Sequence, residues 1–217
     1  ELGNLDEARK LYYKSREIDK KNENKEHEAI MALRIAQLEK ESGNISEARE
    51  FFKENIALRK IIGDAHKVSI GMTRFAEFLI EDEDFQEALS VLNESIKLMK
   101  DSKQSSTKRG RRNITIDYEN KGYIYYKTGN YSLAKKSYEQ AMEIAVEIED
   151  NMIISSLYHR LGILEEYSNN YSEAQKLLKK SKEIFDKYKL IDADDSNSEY
   201  VRPVSYTHLR AHETQPY

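Results

Sequence analysis

Apolar residues recur at spacings of three and four along most of the chain, which is the period of one face of an α-helix. In residues 26–42, for example, Ala29, Ala32, Leu33 and Ala36 fall on one side. The same period predicts helices over about residues 5–20, 26–42, 45–62, 65–80 and 85–100, resumes near Tyr118 and fades near Leu190. The two prolines, which would interrupt a helix, are confined to positions 203 and 216. The pattern therefore predicts an all-α protein.

A six-residue segment interrupts the helical pattern five times and ends each time in alanine. Its copies are residues 3–8, 43–48, 83–88, 129–134 and 169–174. The intervals between the closing alanines are 40, 40, 46 and 40 residues. A fixed period in this range indicates stacked units, each of which buries its apolar face against its neighbours. The chain is therefore predicted to be one elongated array of repeats.

The first two positions of each copy carry residue types that end one helix and begin the next. Gly or Asn occupies the first position in four copies, and both tolerate the left-handed conformation that ends helices. Glu83 is the exception. The second position is Asn or Asp in every copy, as at Asn44, Asp84 and Asn130, and such side chains can cap a helix by accepting from a backbone N–H. Each copy is thus predicted to join two helices as a hairpin.

The one interval of 46 residues contains a hydrophilic insertion, predicted as a basic loop over residues 101–112. Its basic residues, together with two that precede it, are Lys97, Lys100, Lys103, Lys108, Arg109, Arg111 and Arg112. Such a stretch could contact phosphate or an acidic partner. A solvated or phosphorylatable loop is the preferred interpretation, because the stretch contains four Ser/Thr residues and no aromatic residue.

Composition narrows the classes of protein and partner. The 217 residues include no Cys, which excludes disulfides, thiolate nucleophiles and cysteine metal sites and is typical of an intracellular protein. The 35 Lys+Arg nearly balance the 39 Asp+Glu, and the net charge of -4 gives no general attraction to nucleic acid or to a membrane surface. No apolar run approaches the roughly 20 residues of a membrane-spanning helix. We therefore expect a cytoplasmic protein that binds neither nucleic acid nor a membrane.

The two ends of the sequence differ from the repeats between them. The chain opens on Glu1 without an initiator Met, and we interpret it as a fragment of a longer protein. Residues 191–201 are acidic, contain serine and lack periodicity, which predicts a disordered linker. Residues 202–217 match neither the repeat nor its composition. They resemble translated sequencing-adaptor DNA, with a native linker as the alternative, and we exclude them from function.

The fourth repeat has the fullest set of matching positions, which are Tyr118, Gly122, Tyr125, Gly129, Tyr131, Ala134, Tyr138 and Ala141. This set resembles the tetratricopeptide repeat, a pair of helices with aromatic, leucine and small residues at these spacings. The resemblance spans about residues 1–190 and implies a right-handed superhelical solenoid of antiparallel helix hairpins, with about four and a half repeats. The period of 40 is similar to the long-helix variety of this family. A HEAT-like array has an overlapping period, but the small-residue positions favour tetratricopeptide units.

In the tetratricopeptide family, the first helices of the hairpins line a concave groove that holds a peptide or a partner helix. By register, the resemblance implies a groove lined by Leu33, Gln37, Lys40, Thr73, Glu77, Ile80, Glu119, Tyr123, Tyr126, His159, Ile163 and Glu166. Tyr123 and Tyr126 are the preferred anchors, because tyrosine offers a large rigid area with a polar tip. The alternative is that both are ordinary packing residues between repeats.

These observations predict a protein-interaction module that binds a protein or peptide in the groove. The alternative is a sensory or regulatory segment of a larger bacterial signalling or transcriptional regulator, with its effector domain outside this sequence. We do not expect an enzyme, because the sequence has no phosphate-cradling glycine loop and no nucleophile elbow. His27, His66 and His159 lie in three different repeats without metal-ligand spacing. We expect no cofactor, metal or small-molecule substrate.

Overall fold

The structure, a computed structural model, describes residues 2–188 of the chain and the side chains of residues 5–188. This part of the chain is all-α, as predicted. Its helices are α1 (Leu2–Lys21), α2 (Lys25–Glu41), α3 (Ile45–Ile62), α4 (Ala65–Glu81), α5 (Phe85–Asp101), α6 (Lys108–Lys127), α7 (Tyr131–Glu147), α8 (Asn151–Tyr167) and α9 (Tyr171–Tyr188). The predicted linker 191–201 and the tail 202–217 lie outside the described residues.

The helices pair as hairpins in the order that the repeats predict. Helices α2 and α3, α4 and α5, α6 and α7, and α8 and α9 pack against each other, while α1 packs on α2. Successive hairpins contact each other through α3–α4, α5–α6 and α7–α8. In addition, α4 contacts α6 and α6 contacts α8, although a helix separates each of these pairs in sequence. The first helices α4, α6 and α8 therefore lie side by side, as in a solenoid.

The repeated small residues allow the helices of a hairpin to approach closely. The closing alanines Ala48, Ala88 and Ala134 are fully buried, and Ala174 is 1% exposed. Larger apolar residues fill the space around them, and Tyr138, for example, is 1% exposed. Close packing of this kind makes the interior sensitive to changes of a single methyl group.

The buried apolar residues form two main clusters rather than one continuous core. The first cluster draws on α3, α4 and α5, includes Phe52 and Phe75, and extends to Ile124 of α6. The second draws on α6, α7 and α8 and includes Ile96 and Met99 from the second half of α5. The two clusters meet between the hairpin α4–α5 and the hairpin α6–α7.

The turn between the helices of a hairpin has the same backbone conformation whether or not it contains glycine. Gly43 and Gly129 adopt φ angles of 80° and 76°, while Glu83 and Asn169 adopt 59° and 60°. Glu83 thus takes the left-handed conformation that its residue type disfavours. Backbone hydrogen bonds hold it there, since the N–H of the next residue, Asp84, donates to a carbonyl at the end of α4 at 2.9 Å.

The predicted helix caps are correct for Asp84 but wrong for Asn44 and Asn130. The Asp84 side chain accepts from the backbone N–H of Glu87 at 3.2 Å, whereas neither asparagine side chain accepts from a backbone N–H of its helix. Asn44 instead donates through Nδ2 to the buried carboxylate of Glu39 at 2.6 Å. An amide that donates to a carboxylate gains a charge-assisted hydrogen bond, which is stronger than a neutral cap.

The structure confines the connection in the long interval to residues 102–107 and places residues 108–112 of the predicted loop 101–112 in α6. Helix α6 begins there because Thr107 caps it, with its hydroxyl accepting from the backbone N–H of Gly110 at 3.0 Å. The basic residues Arg111 and Arg112 therefore lie on a helix and form ion pairs with Glu147 and Asp150.

Candidate functional site

The first helices α2, α4, α6 and α8 carry every residue predicted to line the groove, but their exposure varies. Partly or fully exposed are Leu33, Gln37, Lys40, Tyr123, Tyr126, His159, Ile163 and Glu166. The other four predicted residues are Thr73 and Glu119, which are fully buried, and Ile80 and Glu77, at 5% and 8% exposure. The accessible part of this face therefore lies on α2 and on α6 and α8, while the α4 positions are closed off.

Charged side chains on α2 and α4 form ion pairs between the two helices and within α4. Lys40 donates to the carboxylate of Glu81 at 2.9 Å, and Arg74 donates to Glu77 at 3.2 Å. The exposed surface is therefore a mixture of neutral, apolar and internally paired charged groups. A surface of this kind suits a partner that binds through a few anchors rather than through its net charge.

Tyr123 is held in place by a buried arginine from the neighbouring hairpin. The guanidinium of Arg160, which is 8% exposed, lies 4.7 Å from the ring centroid of Tyr123. Arg160 also donates through Nε to the carboxylate of Glu119 at 3.2 Å, and Ser156 donates to the same oxygen at 2.5 Å. This cation–π contact in a desolvated setting fixes the tyrosine while leaving part of its ring accessible.

Tyr126 begins an aromatic cluster that continues around the turn. Its ring centroid lies 5.6 Å from that of Tyr167 and 6.1 Å from that of Tyr131, and the last two rings stack at 5.2 Å. Tyr131 and Tyr167 are 41% and 57% exposed. Burial, followed by the hydrogen bond with Tyr167, raises the pKa of Tyr126 above its ordinary value. Sequence reasoning missed Tyr131 and Tyr167 as surface residues of the site, although aromatics beside the turn occur together only in the last two repeats.

A buried polar seam closes the face between α4 and α6. Thr73 donates through its hydroxyl to Asp117 at 2.6 Å, and Asn113 donates to the hydroxyl of Ser69 at 2.5 Å. The residues of each pair are 44 positions apart in the sequence, so α4 and α6 run alongside each other in the same direction. Ser95 of α5 donates to the other carboxylate oxygen of Asp117 at 2.6 Å. We call these five side chains the polar seam.

Two carboxyl groups at the polar seam titrate far from their ordinary range. Asp117 is fully buried, and burial raises its pKa to about 7 against the opposing hydroxyl hydrogen bonds. Burial also raises the pKa of Glu77 to about 7, although Arg74 lowers it. Desolvation disfavours the charged form of a carboxyl group, which explains both shifts. The sequence signal for this seam was a pair of uncharged and acidic polar residues four positions apart on α6, namely Asn113 and Asp117.

The described residues 5–188 contain no group of three or more His, Asp or Glu that could hold a metal ion. In the same part of the chain, no helix combines the length and the apolar character needed to cross a membrane.

The sequence that forms these helices and buried alanines matches a known family of repeat proteins. The sequence profile of the family described as the tetratricopeptide repeat matches residues 1–61 and 113–187, which is more than half of the chain. The chain belongs to the tetratricopeptide repeat family. A search of curated proteins gave no match.

Solved structures with the same tetratricopeptide architecture share little sequence with the chain. The apo form of RapI gives a TM-score of 0.72 at 17% identity, over 96% of this chain and 60% of RapI. BtubC (BKLC) from P. vanneervenii gives 0.70 at 17% identity, over 92% and 79%. A signal transduction ATPase with numerous domains from Pyrococcus horikoshii, which has a tetratricopeptide repeat sensor, gives 0.61 at 16% identity, over 78% and 25%. At these identities the likeness shows the fold alone.

Proposed function

We propose that this tetratricopeptide array is a protein-interaction module that binds a short peptide or a partner helix along the face formed by α2, α4, α6 and α8. The observation that carries the proposal is the partial exposure of Tyr123 and Tyr126 on α6, at the centre of a face whose first helices lie side by side. Rigid aromatic side chains with a polar tip are the residues that most often anchor a bound chain.

The neighbourhood of the two tyrosines supports this role. Tyr123 is oriented by Arg160 at 4.7 Å, so little conformational freedom is lost when a ligand packs on it. Ile163 on α8 is a partly exposed apolar residue on the same face. A bound amphipathic helix would place apolar side chains at three- and four-residue spacings against such a surface.

A selection of peptides on the purified chain tests the proposal. Peptides enriched from a display library are expected to bind the wild type and to lose at least about tenfold in affinity for the double variant Tyr123→Ala and Tyr126→Ala, since an aromatic anchor contributes more than about 1.4 kcal/mol. Tyr171→Ala is the matched control, because Tyr171 is 62% exposed at the start of α9. Circular dichroism must show unchanged helix content in both variants.

Equal affinities of the wild type and the double variant would refute the role of this face. A loss of affinity in the Tyr171→Ala control alone would move the binding surface to α9.

A regulatory role within a larger protein is the second candidate. The observation that favours it is the likeness in fold to the tetratricopeptide repeat sensor of the signal transduction ATPase, in which this chain covers 25% of the total length. In that case the groove would bind the signal and report it to an effector domain elsewhere in the protein. The full reading frame tests this, since an ATPase, kinase or DNA-binding segment beside the repeats would support it and further repeats alone would refute it.

A further inference from the structure

The contact between the hairpin α4–α5 and the hairpin α6–α7 combines apolar packing with a buried polar seam. On the α5 side, Ile96 and Met99 belong to the same apolar cluster as Ile114 and Tyr118 of α6. On the α4 side, Ser69 and Thr73 of α4 bond to Asn113 and Asp117 of α6. Ser95 of α5 completes the polar seam by donating to Asp117. The apolar packing can hold α5 and α6 together as a hinge. The polar seam, which can change its charge, can act as a latch between α4 and α6.

In the polar seam, the carboxylate of Asp117 is held by hydroxyl groups, and Lys121, the cation that attracts it, bonds to Asn93 instead. The Asp117 side chain is fully buried, and its two hydrogen bonds come from the uncharged hydroxyls of Thr73 and Ser95, both at 2.6 Å. Those hydroxyls are also linked to Ser69 and Asn113. An ionised carboxylate in such a place lacks the paired charge that buried ions require.

Glu77 is a second buried carboxyl group beside the polar seam and lies on α4, one turn beyond Thr73. One of its oxygens accepts from Arg74 at 3.2 Å, while Oε1 is buried and has no hydrogen-bond partner within the described residues. The Asp117 and Glu77 groups repel each other when both are ionised, since each carries the same charge. Asp117 in the polar seam and Glu77 beside it therefore disfavour each other's ionisation.

The other charged groups around the seam only partly compensate for the two carboxylates. Lys40 of α2 and Arg74 of α4 attract Glu77, while Glu81 of α4 repels it. Lys121 of α6 attracts Asp117, and Lys100 of α5 in turn repels Lys121. Lys121 is directed to Asn93 of α5 at 2.7 Å rather than to either carboxylate.

We propose that the polar seam is a proton-operated latch: Asp117 and Glu77 in their neutral forms keep α4 and α6 packed, and their ionisation separates the two helices while α5 and α6 remain in contact. Opening would change the spacing of the first helices, and with it the groove. That consequence for binding rests on the proposed function, whereas the opening itself does not.

The direction of the pH effect follows from the raised pKa values. Both carboxyl groups have a pKa of about 7 in the folded protein and about 4 in an unfolded chain. Their neutral forms stabilise the closed seam fully below pH of about 4, and this stabilisation is lost as the pH rises through about 7. Between about pH 5 and 7, each such group lowers the equilibrium constant for the closed, folded state up to about tenfold per pH unit.

The experiment measures the opening directly and needs no binding partner. Because the chain contains no Cys, spin labels can be placed at Glu41→Cys on α2 and Lys127→Cys on α6, two exposed positions on either side of the seam. The distance between them is expected to lengthen from about pH 5.5 to about pH 8.5, as the carboxyl groups ionise. A second pair at Lys127→Cys and Glu166→Cys lies entirely beyond the seam and is expected to keep its distance.

The variant Asp117→Asn with Glu77→Gln removes both charges and retains hydrogen-bonding groups, since the Thr73 and Ser95 hydroxyls can donate or accept. In this background the distance across the seam is expected to be independent of pH. Asp101→Asn, at an exposed position at the end of α5, is the control and should respond to pH like the wild type. A distance that is constant with pH in the wild type, or that changes equally in the double variant, would overturn the latch.

A carbon-13 titration of the wild-type carboxyl groups keeps the proposal testable if the double variant does not fold. Asp117 and Glu77 are expected to be still protonated at about pH 5.5. Titration of both near pH 4 would overturn the proposal. Peptide binding measured at the two pH values is interpreted separately, so that a groove that binds no peptide leaves the latch itself intact.

Discussion

Gly122 of α6 lies so close to α7 that one additional methyl group should destabilise the hairpin α6–α7. A Cβ atom at this position would lie 2.3 Å from Cε1 and 2.4 Å from Cδ1 of Tyr138, far inside the normal contact distance of about 3.5–4.0 Å. The Tyr138 ring is 1% exposed and has little room to move. Overpacking of this severity costs about 3 kcal/mol, and the better helix propensity of alanine offsets about 1 kcal/mol. Gly122→Ala should therefore lower the free energy of unfolding by about 2 kcal/mol.

The fifth repeat offers a matched control at Gly162. There a Cβ atom would lie 2.8 Å and 2.9 Å from Cγ and Cδ2 of Leu178, and this flexible side chain is only half-buried. Leu178 can turn aside, so the gain in helix propensity of about 1 kcal/mol offsets the crowding. Gly162→Ala should be close to neutral.

The third repeat supplies the compensating change. Its equivalent positions are Ala76 and Leu92, both fully buried, so alanine on the first helix is compatible with leucine on the second. Combining Gly122→Ala with Tyr138→Leu should recover about 1 kcal/mol or more of coupling free energy relative to the sum of the single changes.

Urea denaturation followed by circular dichroism measures the two glycine variants, Tyr138→Leu and the double variant. A Gly122→Ala protein as stable as Gly162→Ala, or a double variant whose loss equals the sum of the single losses, would refute the close-packing explanation.

Two further predictions concern polar groups at the turns. Asp84→Ala should lower the free energy of unfolding by about 1 kcal/mol through loss of a cap. Asn130→Ala should change it by less than about 0.5 kcal/mol, because Asn130 only donates to Thr128. Equal losses in urea denaturation would contradict the assignment of the caps. Burial opposes the ionisation of Glu39, but its hydrogen bonds with Arg9 and Asn44 outweigh burial and lower its pKa. Ionised Glu39 therefore stabilises the fold above the unfolded pKa of about 4.3, and this stabilisation is lost as the pH falls below that value. Glu39→Gln should reduce the loss of stability between about pH 5 and 3, and an unchanged acid profile would speak against this.

Much of the fold could be predicted from sequence because its determinants are local. Alanine at a fixed interval and a left-handed residue before each second helix set the hairpins, and residues such as Ala48 and Ala134 are buried where the register places them. The cap assignments failed at Asn44 because its partner, Glu39, carries a charge that outcompetes backbone N–H groups. That competition depends on the burial of Glu39 beside Arg9, 30 residues away in sequence, which local patterns do not reveal.

The groove was harder to predict because exposure depends on how closely neighbouring first helices approach. Register alone places Thr73 and Glu119 on the same face as Tyr123, yet both are fully buried. Thr73 is covered because α6 lies against α4 at a spacing of 44 residues, shorter than the interval of 46 between the repeats themselves. A contact between two separate helices is not contained in the residue pattern of either helix alone.

The division of the apolar interior at α4 and α6 has a consequence for how the array comes apart. Each cluster, one containing Phe52 and the other Tyr138, has its own set of mutually supporting contacts, and in repeat arrays such blocks unfold as separate cooperative units. Two unfolding steps should then be visible when the seam between the blocks is weak. A peptide spanning both blocks would tie their unfolding together and merge the two steps into one, so the shape of a melting curve would itself report whether the array is occupied.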